Sequence, residues 1–435
     1  MRRNRRWAAV AGLVASLSLV AACGSNGDDG SGGGSGSQNA GGAVTLTWWH
    51  NATADPGKSE WQKIADSYHA QHHNVSFTVD PIQNEQFNSK VPAALESSNP
   101  PDLFQQWGGG AEATQVQSGK LMDMTSQVSS WVNQLGPSAK GWQVDGKWYG
   151  IPYDYHIVGF WYRKDLFQQA GISSPPKTMS ELDSDVSKLK AAGISPIAIG
   201  SKDRWPDAFY WEYFVLRECP QATIASSIAK QDFSDACFTK AGTDMSSFLK
   251  TNPFQSGFLG TPAQQGAGSS AGLVANGKAA MELQGDWEMA VMPSLATDKN
   301  FAQKMGWFPF PSVPGGSGDQ GAGLGGGDGF SCTSQATSAC PDFLKYITST
   351  PVQKQLIKSL AVTLPSNPGA NSAISIPTLK VVLKYLGGVS YNQLYFDQAL
   401  PTNSGQALDS AVADYFAGKG SPSSIAASVA QGAGP

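Results

Sequence analysis

The chain has 435 residues, 40% of them hydrophobic and only 15% charged, which is enough apolar material for two or three packed domains and excludes gross disorder. Its net charge is −4. Setting aside Arg2, Arg3, Arg5 and Arg6 leaves 26 basic against 34 acidic side chains, or −8, which excludes a binder that works by neutralising nucleic-acid phosphates. Forty-nine glycines, 26 prolines and 13 tryptophans make a loop-rich chain with many flat side chains, a composition suited to an uncharged ligand.

Four arginines in the first six residues precede an uninterrupted apolar and small-residue stretch, Trp7 to Ala22, that ends at Cys23. This order reads as a signal peptide over residues 1–22. At 16 residues the stretch is short of the roughly 20 needed for a membrane span, and no later segment reaches that length without charge or Pro. Leu19-Val20-Ala21-Ala22-Cys23 resembles a bacterial lipobox, which implies diacylglycerol on Cys23; the alternative is an ordinary signal peptide with a chance cysteine. Residues 23–42 are then the lipidated cysteine and a Gly/Ser linker with a reach of roughly 25 Å. The expected location is extracytoplasmic, on the membrane of a bacterial cell.

Beyond the linker, Val44 to Trp49 alternates as a strand. Residues 57–73 follow with helical apolar spacing at Trp61, Ile64, Ala65 and Tyr68, and Val75 to Val79 is strand again. The rhythm continues through Asp102-Leu103-Phe104, a helix near 178–192 and Ser195 to Ile199, which predicts an α/β fold with mostly parallel sheets. The tail from about Leu379 to Val429 reads as helices separated by Gly/Pro loops. Cys219, Cys237, Cys332 and Cys340 are an even number in an exported chain and allow three disulfide connectivities; neighbour pairing, 219 with 237 and 332 with 340, closes the shortest loops. No C-x2-C spacing or nearby histidine supports a metal.

An ordered series of blocks resembles the family 1 extracellular sugar-binding proteins of ABC transporters. The blocks are Pro101-Asp102-Leu103-Phe104 with Trp107, Gly119-Lys120-Leu121 before Asp123, residues 145–153 (DGKWYGIPY), residues 159–167 (GFWYRKDLF), Ala170-Gly171-Ile172, Pro175 to Thr178 with Glu181-Leu182, and Gly277 to Met281 with Gly285-Asp286-Trp287. Arg163 departs from the pattern, where Asn is common, and only a local change is expected there. The resemblance covers roughly residues 44–430. It implies a two-lobed, type II periplasmic-binding-protein-like fold that closes on a sugar through a hinge and an inter-lobe cleft. By analogy the chain crosses near 153–157, near 307–311 and near 366–370. That places residues 43–153 plus 312–366 in the N-terminal lobe and 157–306 plus 370–435 in the C-terminal lobe.

A pyranose has an apolar face and a rim of hydroxyls, so its site needs aromatic plates and planar polar groups. The chain supplies both where strands end and a cleft opens. Trp48 and Trp49 point to opposite faces, so only one can meet the ligand. The expected set is Trp49, His50 and Asn51 after the first strand, Trp107 and Gly108 after 102–104, Asp203 and Trp205 after 195–200, Asp286 and Trp287 after 279–285, with Asp154 at the hinge and Asp328 in a Gly-rich loop. A tryptophan taken blindly is more often core or lobe surface than ligand plate; the resemblance favours Trp107, Trp205 and Trp287 as plates, and Trp131, Trp142 and Trp148 read as packing.

The catalytic motifs fail on context. Gly321 to Gly326 fits G-x-G-x-x-G without a preceding strand, and Gly268 to Gly272 fits G-x-S-x-G without a nucleophile elbow. Gly57-Lys58-Ser59 lacks the first P-loop glycine, and His69, His72 and His73 sit at a helix end where the dipole favours them. The serious rival is a secreted glycoside hydrolase with paired carboxylates drawn from Asp154, Asp203, Glu212, Asp286 and Asp328. An adhesive lipoprotein would need no hinge. The sequence therefore leads to a monomeric, lipid-anchored receptor for a neutral mono- or oligosaccharide, xylobiose being one candidate. It would work with permease subunits and a cytoplasmic ATPase, without enzymatic activity, cofactor or metal.

Overall fold

A computed structural model of the chain describes residues 42–432. The expected signal peptide, lipidated Cys23 and the linker up to residue 41 lie outside the described residues. Along the chain the strands are β1 (Val44–His50), β2 (Val75–Pro81), β3 (Leu103–Gln106), β4 (Gln143–Val144), β5 (Lys147–Trp148), β6 (Gly150–Pro152), β7 (Val158–Arg163), β8 (Ser195–Ile197), β9 (Ala279–Gly285), β10 (Met305–Phe308), β11 (Gly323–Gly325), β12 (Gly329–Cys332) and β13 (Asn392–Leu394).

The alternation of β1 sends Leu46, Trp48 and His50 to one face. Trp48 is fully buried there, edge-on to Trp61, Phe330 and Phe343. Trp61 comes from the helix Gly57–Gln71, whose buried stripe of Trp61, Ile64, Ala65 and Tyr68 is the spacing the sequence shows. The helix Met179–Ala191 starts at a capping box, with Thr178 and Glu181 each bonding the other's backbone.

Two main sheets result, one per lobe. The first runs β2-β1-β3-β12-β6 and the second β10-β7-β9-β8. They are more mixed than expected: only β1 with β2, β1 with β3 and β8 with β9 are parallel, while β12, β6, β7 and β10 pair antiparallel. β7 and β12, which arrive from the other lobe, do not use a helical crossover and are free to run against their neighbours. The second sheet is buried on both faces, with Phe160, Leu283 and Phe308 in one cluster and Trp161, Met305 and Trp307 in the other.

The sheets are linked by three segments lying side by side. Tyr153 N–H donates to Asp328 O at 2.8 Å and His156 N–H to Gly326 O at 3.0 Å, while on the other edge Tyr155 N–H donates to Leu364 O at 2.9 Å and Ser366 N–H to Tyr153 O at 3.1 Å. The first crossing thus falls at 153–156 and the third at 363–366, beside the expected 366–370. The second falls at 326–328, a correction to 307–311. Phe308 and Phe310 are buried in the second lobe. The Arg217 guanidinium, on the helix Trp205–Glu218, holds the carbonyls of Phe310, Pro311, Asp319 and Ala322 at 3.0–3.3 Å. β11 then pairs with β13. Residues 312–325, expected in the N-terminal lobe, therefore pack with the C-terminal one.

The disulfides are Cys219–Cys237 and Cys332–Cys340, the neighbour pairing. Trp131, Trp142 and Trp148 are buried, and Arg163 spends its guanidinium on Asp165 and the carbonyls of Val274 and Ala275. No helix among the described residues is long and apolar enough to cross a membrane.

Candidate functional site

A cleft of about 910 Å³ opens along the three crossing segments, between the strand ends of the two lobes. Of the expected residues, Asn51, Trp107, Asp154, Asp203, Trp205, Trp287 and Asp328 line it. The structure places the other four elsewhere. Trp49 packs in a satellite cluster with Ile82, Phe87, Phe104 and Leu121. His50 is buried beside Trp48 and Trp61, and its Nδ1 accepts from Ala52 N–H at 3.2 Å. Burial, with Lys58 nearby, pushes its pKa down to about 4, so the ring is neutral. Gly108 is a backbone device: its φ of +75° suits glycine, and it turns the chain from β3 into the helix Gly109–Gln117 against Trp142. Asp286 is fully buried and accepts from Ile157 N–H at 2.9 Å and from the Thr363 hydroxyl. For Trp49, His50 and Asp286 the reason is shared: period-two alternation and strand-end position show where a side chain departs, but not whether the next layer is cleft or core; Gly108 is there for its backbone.

The aromatic side of the cleft is mostly second-lobe. Trp205 and Trp287 stand 6.2 Å apart at 69°, backed by Phe209, with Tyr395 6.4 Å from Trp287. Across from them Trp107 is held edge-on by Phe87. Several polar atoms on these walls are buried with no partner among the described residues: Trp205 Nε1, Tyr395 OH, Gln398 Oε1 and Asp409 Oδ1. Such atoms are expensive unless a ligand or water satisfies them. Asp203, with its pKa raised by burial, accepts from Ala263 N–H at 2.7 Å.

At the floor His156 joins three carboxylates. Its Nδ1 lies 3.2 Å from both Asp286 oxygens, and its Nε2 lies 3.2 Å from Asp154 Oδ1 and 3.4 Å from Asp328 Oδ2. Asp154 also accepts from Asp328 N–H at 2.7 Å. Burial pushes the Asp154 carboxyl up to about 7 against the pull of His156. Burial alone would lower His156, but Asp154 and Asp286 outweigh it and raise the imidazole well above its ordinary value. The donor atoms of Asp154, His156 and Asp328 lie within 4.8 Å of one another, close enough for one cation, and are already joined by these hydrogen bonds.

Sequence reasoning missed Tyr395, Gln398 and Asp409. They come from the helical tail after β13, where no strand-end motif marks them. It also read Trp61 as core only, yet Trp61 lines the cleft as well.

The sequence profile of the bacterial extracellular solute-binding proteins matches residues 27–354. The chain belongs to this family. This solute-binding protein has, over 89% of its length, the fold of a solved structure from work on xylan utilization by the thermophilic bacterium Caldanaerobius polysaccharolyticus; the TM-score is 0.81, identity 26%, and 99% of that chain is covered. The two-lobed, type II periplasmic-binding-protein-like architecture is thus the observed one. The solute-binding protein is also 25% identical over 387 residues to the diacetylchitobiose binding protein DasA of Streptomyces coelicolor, 85% of each chain. An ABC transporter extracellular-binding protein of Pyrococcus horikoshii is 23% identical over 176 residues, and the match spans 39% of that relative's length. Membership implies an extracytoplasmic receptor.

Proposed function

We propose that this chain is the saccharide-capturing receptor of an ABC importer, held at the membrane by a lipid on Cys23, and that it delivers a neutral mono- or oligosaccharide to permease subunits driven by a cytoplasmic ATPase. One observation supports this most: Trp107 and the Trp205–Trp287 pair come from opposite lobes and line one cleft that also carries unpartnered buried polar atoms. Indole faces suit the C–H face of a sugar, and acceptors and donors suit its hydroxyls. Burying about 150–250 Å² of one indole corresponds to roughly 4–6 kcal/mol gross. Two plates and a few hydrogen bonds, less ordering and desolvation, leave about −8 kcal/mol, a micromolar Kd. The sugar favours the closed form through the contacts it makes only there. The kinship with a xylan-utilization structure and with a diacetylchitobiose receptor favours a β-linked disaccharide such as xylobiose.

The hydrolase reading is the weaker one. Asp154 and Asp286 are bound to His156, and Glu212 is fully buried in the second lobe, where it accepts from Phe396 N–H at 3.0 Å. Calorimetry with xylobiose, diacetylchitobiose and maltose, followed by product analysis of the same mixtures, tests the proposal. Micromolar binding with intact sugar is expected; hydrolysis, or no binding by any saccharide in a broad screen, would overturn it. For the anchor, Cys23→Ala is expected to release the chain from the membrane fraction, and retention there would remove the lipid from the reading.

A further inference from the structure

We propose that His156 is a positioning residue for ligand capture: it fixes the plane of the Trp287 indole at the cleft floor and ties that plane to all three crossing segments. The inference rests on the saccharide reading of the cleft.

The imidazole is 4% exposed and stands edge-on to the Trp287 ring, centres 4.9 Å apart and planes at 87°. Trp287 directly follows Asp286, the carboxylate that grips Nδ1. The groups that hold His156 are spread over the whole joint. Asp154 lies on the same crossing segment, Asp328 on the second, and Thr363 on the third reaches Asp286 through its hydroxyl. A change of angle at any crossing therefore moves a group bonded to the ring or to its carboxylate, and the ring abuts the plate. The Tyr153 and Tyr395 hydroxyls also face these carboxylates, and burial raises both well above the ordinary phenol value. Among the described residues, the His156 ring nitrogens reach all three carboxylates, at 3.2–3.4 Å. An isolated buried carboxylate is costly, so the four groups hold one geometry instead of sampling several.

The arrangement can be tested without a ligand. In protein labelled with 5-fluorotryptophan, with the Trp287, Trp48 and Trp131 fluorine resonances assigned by single Trp→Phe variants, His156→Gln is expected to broaden or split the Trp287 resonance while those of Trp48 and Trp131, buried in the first lobe away from the cleft, stay unchanged. An unaltered Trp287 resonance would overturn the proposal. Should His156→Gln fail to fold, Asp286→Asn offers the same readout with the Ile157 bond kept.

The binding arm uses xylobiose or diacetylchitobiose in calorimetry. His156→Gln is expected to weaken binding at least tenfold when Trp287 is present and less than twofold in a Trp287→Phe background. Equal losses in both backgrounds, as a purely structural role would give, refute it. So would an affinity that changes on adding zinc or EDTA, because a metal ion would then hold the carboxylates. If no saccharide binds the wild type, the cleft reading fails, and the fluorine spectrum still decides whether His156 holds Trp287.

Discussion

Gly110 lies directly against Leu400: a β-carbon on Gly110 would sit 2.4 Å from the Leu400 carbonyl carbon, closer than real side chains approach. The first residue belongs to a first-lobe helix and the second to the second-lobe segment after β13, so the contact closes the molecule beside the joint. Gly110→Ala should hold the lobes apart. We expect a larger radius of gyration in small-angle scattering with saccharide present and at least tenfold weaker binding. Alanine is favoured over glycine in a helix by up to about 1 kcal/mol, so the lobes themselves should lose no stability. An unchanged radius and affinity would show that the contact plays no part in closure.

Tyr395→Phe should move stability and affinity in opposite directions. The hydroxyl is buried without a partner among the described residues, which costs about 1–3 kcal/mol relative to a paired group, so its removal should raise the melting temperature of the sugar-free protein. If the ligand supplies the missing partner, the same change weakens binding about tenfold. Loss of stability together with unchanged affinity would place the hydroxyl outside the ligand's reach.

Arg204 has φ +69° and ψ −49°, a conformation that side chains rarely adopt and that costs on the order of 1 kcal/mol or more. It lines the cleft and donates to Ser410 Oγ at 2.9 Å. Arg204→Gly should relieve the strain and leave apo stability equal or slightly higher, while binding falls threefold or more because a cleft donor is lost. Calorimetry and thermal melts of the same sample separate the two effects.

Asp207 predicts a pH dependence. Burial pushes its carboxyl up to about 7, offset in part by the hydroxyl of Ser201, whose Oγ donates at 2.7 Å; its other oxygen has no partner among the described residues. The native state therefore keeps a proton that the unfolded chain releases near pH 4. Its contribution to stability is complete below that value and is lost as pH rises to about 7, by up to about 4 kcal/mol. Asp207→Asn should melt like the wild type at pH 4 and higher than it at pH 8. Parallel melting curves across that range would contradict the assignment.

Much of the scaffold was legible because it is written locally. The spacing of Trp61, Ile64, Ala65 and Tyr68, the alternation that buries Trp48 and the closing of the shortest disulfide loops need only near neighbours. The second crossing was not. Its Pro-rich stretch at 307–311 looks like a crossover, yet Phe308 and Phe310 are drawn into the second core and Arg217 takes up the carbonyls. The actual crossing, Gly326 to Asp328, resembles a ligand-approach loop because glycines serve both purposes: a β-carbon on Gly327 would lie 2.6 Å from the Asp154 carbonyl oxygen. Asp286 was singled out for ligand and found its partners within the protein instead. The cleft's Tyr395 and Asp409 depend on how the tail folds back over a hundred residues of chain, which no local pattern encodes.

The three crossing segments have a mechanical corollary. A single strand can swivel about any axis, whereas three strands bonded edge to edge form a ribbon that bends along one line and resists torsion. The cleft walls must then approach along one arc, like the covers of a book on its spine. The surfaces farthest from that spine sweep the longest path, so the open and closed forms differ most at those outer edges.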